Sequence, residues 1–341
     1  MSRRTIEDVA RAAGVSVATV DRVLNRRPGV RPVTVERVEA AVRELDYQPD
    51  RVAARLARSR DYRLVFVLPT GVNSFMQALQ EAVHETAAWF AGERVDISLR
   101  LVDVFDPAAL AHALQELPDS LDGVAVVALD HPLVRLAIDG LVERGVRVVT
   151  LVSDVPASRR ARHVGVDNFA AGRTAASLLG RFLGGRQGCV GMIAGSLGLR
   201  DHAERRSGFE QVLAREFSFL EVLEVREGRD DYRRVEELVR DLLAQRPDLI
   251  GLYNVGAGNR GAVRALEAAG RAQDVVFIAH ELTPHSRRAL VEGTIDAVIN
   301  QEAGHEVRSA ARVLVALLDD SPIMPSQERI RIDIFLRDNL P

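Results

Sequence analysis

The chain has 341 residues, 47% of them hydrophobic and 27% charged, which is enough for two or three domains. No apolar run approaches the roughly 18 residues of a membrane-spanning helix, and the basic N-terminus lacks the apolar segment of an export signal, so we expect a cytoplasmic protein with no membrane partner. The single cysteine, Cys189, excludes a disulfide framework. Residues 1–60 carry 13 arginines against 8 acidic residues, although the net charge is −3. A basic head on an acidic body suits attraction to phosphate, but an ordinary solvated surface can have the same composition.

The spacing of apolar residues changes near residue 62. Before it, they recur at helical intervals in three short segments, and after it apolar strands alternate with amphipathic helices. This alternation predicts parallel sheets covered by helices on both faces. We expect two doubly wound subdomains, with the change from one to the other near residues 162–168. The predicted strands are 63–69, 97–102, 123–129, 146–152, 189–194, 220–225, 249–254, 275–279 and 296–300.

The most specific motif lies in the first 48 residues and reads Ala10-x-x-x-Gly14-Val15-Ser16. Thr5 is placed to cap a first helix, the glycine supplies a turn, and the serine caps a second helix from residue 17 to about residue 24. Two short helices joined in this way cross steeply and form a helix-turn-helix. On its outer face, at positions suited to a DNA major groove, the second helix presents Val17, Ala18, Arg22 and Asn25.

The stretch TIEDVARAAGVSVATVDRVLN at residues 5–25, followed by LDYQP at 45–49, resembles the head of LacI/GalR family repressors. The resemblance implies that Val17 and Ala18 lie at base-reading positions and that Arg22 contacts a base. It assigns phosphate contacts to Ser16, Thr19 and Asn25, and includes Thr5 in the DNA-binding set. The family usually has Ser where this chain has Asp21. A carboxylate there should repel phosphate, unless Arg22 or Arg26 pairs with it.

Residues 49–61 are expected to form a hinge helix and linker. An isolated helix of this length is marginal in water. The family resemblance implies a helix that orders only when two subunits meet on DNA, with Ala53 and Leu56 as minor-groove contacts. A leucine wedge of this kind can unstack a base step and kink the duplex. A solvated linker whose arginines maintain solubility is the alternative.

The likeness to the LacI/GalR family continues through residues 62–341, which resemble periplasmic sugar-binding proteins. The expected fold class is therefore α/β: an all-α helix-turn-helix head followed by two doubly wound parallel-sheet subdomains of the periplasmic-binding-protein type. Ligands of open α/β sheets bind beyond the carboxyl ends of the strands. The candidate effector-binding residues at these ends are Asn73, Phe75, Asp130, His131, Asp154, His202, Arg205, Asn254, Glu281 and Gln301.

This set of carboxylates, amides, one arginine and an aromatic ring suits a sugar or polyol, because hydroxyls both donate and accept hydrogen bonds. Resemblance to the ribose-binding type supports Asp130, Arg205, Asn254, Glu281 and Gln301 best, although that type commonly has Asp in place of Glu281. Any one of these residues could instead be a strand-end polar group satisfied by backbone or water.

A competing interpretation rests on the G-x-G-x-x-G sequence from Gly256 to Gly261. It follows a predicted strand, and Glu281 lies twenty residues beyond it, as in a dinucleotide-binding fold. A redox sensor or dehydrogenase that binds NAD is therefore the alternative function. Against it, the motif stands late in the chain, no hydride-transfer residues are recognisable, and a tight strand-to-helix turn explains the glycines.

The sequence predicts a transcriptional repressor, without catalytic residues, that binds a pseudo-palindromic double-stranded DNA operator as a homodimer. A sugar or polyol between two lobes would control its affinity for DNA. We expect no cofactor and no metal site, because the histidines do not have the spacing of metal ligands. No leucine-rich heptad repeat follows Pro325, which favours a dimer over a tetramer.

Overall fold

The structure, a computed structural model, describes residues 4–24, 28–47, 61–70 and 73–341. The predicted DNA contacts Asn25, Ala53 and Leu56 lie outside these residues. The chain divides into two compact units, Met1–Asp61 and Tyr62–Pro341.

The N-terminal unit contains three helices, α1 (Ile6–Ala13), α2 (Val17–Leu24) and α3 (Pro32–Glu44). Thr5 and Asp8 form a capping box at the start of α1, and Gly14 enters the turn after α1 with φ +62°. The Ser16 hydroxyl accepts a hydrogen bond of 3.2 Å from the backbone N–H of Thr19. Three valines, one from each helix, are fully buried in a small core: Val9, Val20 and Val38. The predicted helix-turn-helix is therefore present.

The second unit begins with a lobe built on five described strands, all parallel, in the order β2-β1-β3-β4-β5. Helices cover both faces of this sheet. Successive side chains of its strands point to opposite faces and so enter two separate apolar clusters. The strands are β1 (Tyr62–Pro69), β2 (Val95–Val102), β3 (Gly123–Val126), β4 (Arg147–Leu151) and β5 (Arg162–Val164). The helices are α4 (Ser74–Ala91), α5 (Pro107–Gln115) and α6 (Pro132–Glu143).

The second lobe has a sheet in the order β12-β11-β10-β9-β6-β7, with β8 paired to β6 and only β12 antiparallel to its neighbour among the described strands. Its strands are β6 (Gly188–Ala194), β7 (Leu220–Val222), β8 (Arg226–Glu227), β9 (Leu249–Asn254), β10 (Val276–His280), β11 (Ala297–Asn300) and β12 (Asp333–Phe335). The helices in this part of the chain are α7 (Asn168–Leu183), α8 (Arg200–Glu216), α9 (Tyr232–Gln245), α10 (Asn259–Ala268), α11 (Pro284–Glu292), α12 (Ala303–Leu318) and α13 (Pro325–Glu328), and the 3-10 helix Arg337–Asn339 follows β12.

The described chain passes between the two lobes three times. It first crosses between β5 and α7, within the predicted segment 162–168. It returns when α12 packs its apolar side on the first sheet, and it crosses again to place β12 on the second sheet. The predicted fold class is confirmed.

The differences from the predicted strands have local causes. The predicted strand 220–225 is shorter in the structure, where β7 ends at Val222. The predicted strand 123–129 ends at Val126, although the three residues after it are buried. Val152, at the end of the predicted strand 146–152, has φ +63° and cannot continue β4. Apolar patterning detects burial but not strand pairing, so it also missed β5, β8 and β12, which have only two or three residues each.

Two glycines bring α7 and α8 into backbone contact. A Cβ atom on Gly172 of α7 would lie 2.0 Å from the carbonyl oxygen of Arg205, and one on Gly208 of α8 would lie 2.3 Å from the carbonyl oxygen of Phe169. No side chain larger than hydrogen fits such a crossing. The two glycines therefore fix the position of Arg205 in the second lobe.

We expect Gly172→Ala to lower the free energy of unfolding by about 2–3 kcal/mol, because a backbone cannot move aside as a flexible side chain can. Gly140→Ala is the matched control: it lies within α6 with no atom within 4 Å of the added Cβ. That change should be neutral or stabilise the protein by up to about 1 kcal/mol. Urea unfolding of the three proteins measures both effects, and equal stabilities would contradict the close crossing.

Candidate functional site

The exposed part of α2 carries the side chains predicted to contact DNA. Val17, Ala18 and Arg22 are exposed, and 42% of Val17 is accessible, which is unusual for a valine in a unit whose apolar core is so small. The hydroxyls of Ser16 and Thr19 lie 2.9 Å apart at the N-terminus of the same helix. Thr5 differs from these residues, because its side chain and backbone N–H are already bonded to Asp8 in the cap of α1.

The predicted effector residues of the first lobe are engaged in local contacts. Asp130 forms an ion pair of 2.6 Å with Arg135, and His131 caps α6 by accepting from the N–H of Leu133. Asp154 accepts hydrogen bonds from Thr150 and Arg160. Burial opposes ionisation of Asp154, but these donors outweigh it and hold the pKa of the carboxyl below its usual value.

The two lobes contact each other along the cleft. The side-chain amide of Asn73 donates to Asp230 over 3.3 Å, and the N–H of Asp130 donates to the carbonyl of Gly198 over 3.3 Å. A cavity of about 160 Å³ lies between the lobes and is lined by residues from both. Its lining includes Asn73, Phe75, Asp230, Tyr232, Asn259, Arg260, Glu281 and His285.

A buried polar cluster lies at the carboxyl ends of the strands of the second lobe. The Arg205 guanidinium, 2% exposed, donates to Asn168 over 2.8 Å and to the carbonyl of Val255 over 3.0 Å. Gln301 donates to Glu281 over 2.8 Å. The Asn254 amide donates to Asn259 and to the carbonyl of Ala257, and His202 lies beside Asp201 with 3.6 Å between Nε2 and Oδ2. The structure thus brings together five predicted residues: His202, Arg205, Asn254, Glu281 and Gln301.

Several polar atoms of this cluster are buried without a hydrogen-bond partner. They are Asp201 Oδ1, Arg205 Nη2, Asn254 Oδ1, Glu281 Oε2, Gln301 Oε1 and both carboxyl oxygens of Glu306. Among the described residues, every buried polar side-chain atom without a hydrogen-bond partner belongs to this cluster. An unsatisfied buried group costs about 1–3 kcal/mol, so a protein keeps such a concentration where a ligand can supply the partners. The cluster adjoins the cavity through Glu281 and Asn259.

Asp201 and Glu306 were not predicted. Asp201 precedes His202 in the first turn of α8, and Glu306 stands among the apolar residues of α12, next to Val307. A carboxylate on the apolar side of an amphipathic helix is a detectable signal, because burying it alone is costly. That signal was available for Glu306 in the sequence.

Burial also shifts the pKa values of the cluster. It raises the pKa of Glu281 to about 7, although Arg205 and Gln301 oppose the shift. Burial and the neighbouring Glu281 raise the pKa of Glu306 well above its usual value. Burial lowers the pKa of His280 well below its usual value, and the ring bonds the Tyr253 hydroxyl at 2.8 Å. Burial therefore favours the protonated form of the Glu281 and Glu306 carboxyls in the free site.

The glycines of the turn before α10 have packing roles. Gly258 has φ +92°, and a Cβ on Gly261 would lie 1.8 Å from the carbonyl oxygen of Tyr232. Asp230 accepts a 3.0 Å hydrogen bond from the N–H of Ala257. In a dinucleotide site such backbone N–H groups face a pyrophosphate, whereas here a carboxylate of the chain itself holds one of them.

In the described ranges, no group of three or more His, Cys, Asp or Glu side chains is arranged to hold a metal ion. None of the helices in the same ranges combines the length and the apolar character needed to cross a membrane.

Comparison with known families agrees with this architecture. Residues 5–50 match the family of bacterial regulatory proteins of the lacI type, and residues 64–322 match the periplasmic binding protein domain. The chain belongs to the LacI family of regulators. It joins a helix-turn-helix head of that family to a periplasmic-binding-protein domain, which confirms the family resemblance seen in the sequence.

Relatives and solved structures are consistent with this membership. The HTH-type transcriptional regulator CelR of Thermobifida fusca is 26% identical over 99% of this chain and 98% of its own. Catabolite control protein A of Streptococcus mutans is 29% identical over 52% of this chain, and the match spans about half of that relative's length (51%). The solved structure of GanP, a glucose-galactose binding protein from Geobacillus stearothermophilus, covers 83% of this chain and 99% of its own with a TM-score of 0.75, at 22% identity. This last likeness establishes the fold.

The raised pKa of Glu306 predicts how stability depends on pH. The carboxyl has its usual pKa of 4.5 in the unfolded chain, and burial raises that pKa well above this value in the folded protein, so rising pH favours the unfolded state. Glu306→Gln removes this loss. The variant should gain stability over the wild type by up to about 1.4 kcal/mol per pH unit between about pH 5 and pH 7. Urea unfolding across that range measures the difference, and parallel curves would show that Glu306 is ionised in the folded protein.

Proposed function

We propose that this protein is a transcriptional repressor that binds a pseudo-palindromic operator as a homodimer in the cytoplasm and is controlled by a sugar or polyol. The observation that carries the proposal is the buried cluster of unpaired acceptor oxygens in the second lobe of a chain that begins with a helix-turn-helix. Residues 1–48 would bind DNA, residues 49–61 would form the hinge, and residues 62–341 would bind the effector and dimerise.

The DNA-binding part of the proposal rests on α2 and on charge. Val17, Ala18 and Arg22 are exposed on one short helix, and an exposed apolar side chain can contact a thymine methyl group in the major groove. Ser16 and Thr19, at the N-terminus of that helix, present hydroxyls and a helix dipole to phosphate. The arginine excess of residues 1–60 supplies the attraction that does not depend on sequence.

The effector-binding part rests on hydrogen-bond complementarity. The unpaired oxygens of Asn254, Glu281 and Gln301 require donors, and a hydroxyl of a sugar supplies one. The unpaired nitrogen of Arg205 requires an acceptor, and the oxygen of a sugar hydroxyl supplies one. A ligand in the cleft would also contact the first lobe at Asn73 and Phe75, and so favour lobe closure.

An NAD-binding sensor remains the second candidate, because the glycine turn of residues 256–261 has the spacing of a dinucleotide motif. The hydrogen bond from Ala257 to Asp230 weighs against it. A ligand screen that includes NAD separates the two functions.

Arg22→Ala should weaken binding to the specific operator by about 1–3 kcal/mol and relax the preference at one base position in each half-site. Arg43→Ala, an exposed arginine at the end of α3, is the matched control for the loss of charge. Fluorescence anisotropy with operator and random duplexes at two salt concentrations measures both. If Arg22→Ala weakens binding to every sequence equally, Arg22 contacts phosphate and the base-reading role is wrong.

Asn254→Ala should weaken effector binding about tenfold or more, because it removes the buried, unpaired Oδ1 that would accept a hydrogen bond from the ligand. Gln273→Ala removes an exposed amide and should have no effect. A thermal-shift screen of sugars, polyols and NAD identifies a ligand, and calorimetry then compares the variants. Binding to DNA without effector should be unchanged in both. Saturable binding of NAD together with no response to any sugar or polyol would assign the cleft to the dinucleotide function.

A further inference from the structure

The charges of the buried cluster are unbalanced. Three carboxyl groups, from Asp201, Glu281 and Glu306, share the site with the single guanidinium of Arg205. That guanidinium already donates hydrogen bonds to Asn168 and to the carbonyl of Val255. Glu306 is fully buried, and neither of its oxygens has a donor. The site therefore has more carboxyl groups than cationic groups to offer a ligand.

The unpaired atoms have the same bias. Six of the seven are oxygens, and Arg205 Nη2 is the one nitrogen among them. The orientation of the two amides supports this count, because the nitrogen of Asn254 faces the carbonyl oxygen of Ala257 and the nitrogen of Gln301 faces Glu281. Each hydroxyl brings acceptor lone pairs with its one proton, whereas an ammonium group brings three donors, a positive charge and no acceptor. The deficit in the cluster is of the kind that an ammonium group fills.

We propose that the effector is an amino sugar or amino polyol, whose protonated amine is held by Glu306 and Glu281 and whose hydroxyls bond the remaining oxygens and Arg205. This inference rests on the proposed function, since it specifies the chemical class of the effector for the same cleft. A buried ion pair is favourable only when both partners are hydrogen bonded, and the unpaired oxygens of the two glutamates meet that condition once the ammonium is bound.

Binding of an ammonium group must displace protons from the glutamates. In the free protein, burial raises the pKa of Glu281 to about 7 and raises the pKa of Glu306 well above its usual value. A bound cation lowers both pKa values, so protons are released and the affinity rises with pH while the amine stays charged. The other titratable or charged groups around Glu306 and Glu281 are Asp201, His202, Arg205, His280 and Glu302.

The test compares ligands that differ only by an amine in place of a hydroxyl. Calorimetry with the full chain would measure glucitol against 1-amino-1-deoxyglucitol, and glucose, galactose and mannose against their 2-amino and 2-acetamido forms. At least one amine should bind about tenfold or more tightly than its hydroxyl and acetamido partners. Repeating the titration in two buffers of different ionisation enthalpy should reveal proton release.

Glu306→Gln keeps the shape of the protonated side chain and should abolish most of the preference for the amine. Glu302→Gln on the same segment is the matched control, since its side chain is half-exposed and pairs with Arg308. If a neutral sugar or polyol binds as tightly as its amine, the inference is overturned and the proposed function stands. If neither class binds while DNA binding is intact, the sugar-controlled function fails together with this inference.

Discussion

The site in the second lobe depends on the hydrogen bonds that hold the buried guanidinium of Arg205. A buried charge is tolerated only with hydrogen-bond partners, and these come from Asn168 at the start of α7 and from the carbonyl of Val255 just after β9. The close crossing of α7 and α8 at Gly172 fixes the backbone that carries the arginine. Once placed, its charge opposes the effect of burial on the pKa of Glu281, so that carboxyl titrates near neutral pH.

Much of this site could be predicted from the sequence, because parallel strands bring the residues after their carboxyl ends together. That rule found Asn254, Glu281 and Gln301, which follow or end three adjacent strands of the second sheet. The rule was less informative in the first lobe, where Asp130 and Asp154 form ion pairs with nearby arginines. A strand-end position does not reveal which partner a carboxylate contacts. Glu306 was missed because it lies on a helix, beyond the strand ends that were searched.

The glycine turn shows how one local pattern serves two kinds of site. A dinucleotide motif needs glycines for a tight turn and for close packing of the helix, and this chain uses Gly258 and Gly261 for those same purposes. The spacing follows from the geometry of a strand-to-helix connection, so it cannot by itself identify the ligand. The feature that weighs against a dinucleotide is Asp230, whose carboxylate bonds both the turn and Asn73 of the first lobe. That contact depends on tertiary structure and leaves no spacing signal.

The cluster also lies where the chain passes between lobes, so a ligand bound there would contact the connecting segments. Asn168 follows the first passage, and Gln301 and Glu306 flank the start of α12, which packs on the first sheet. A ligand that ordered these side chains would therefore act on the connecting segments as well as on the cleft walls. Only a ligand with different affinities for two lobe arrangements can shift their populations. By thermodynamic linkage, if lobe geometry changes affinity for DNA, then bound DNA must change affinity for the effector by the same factor.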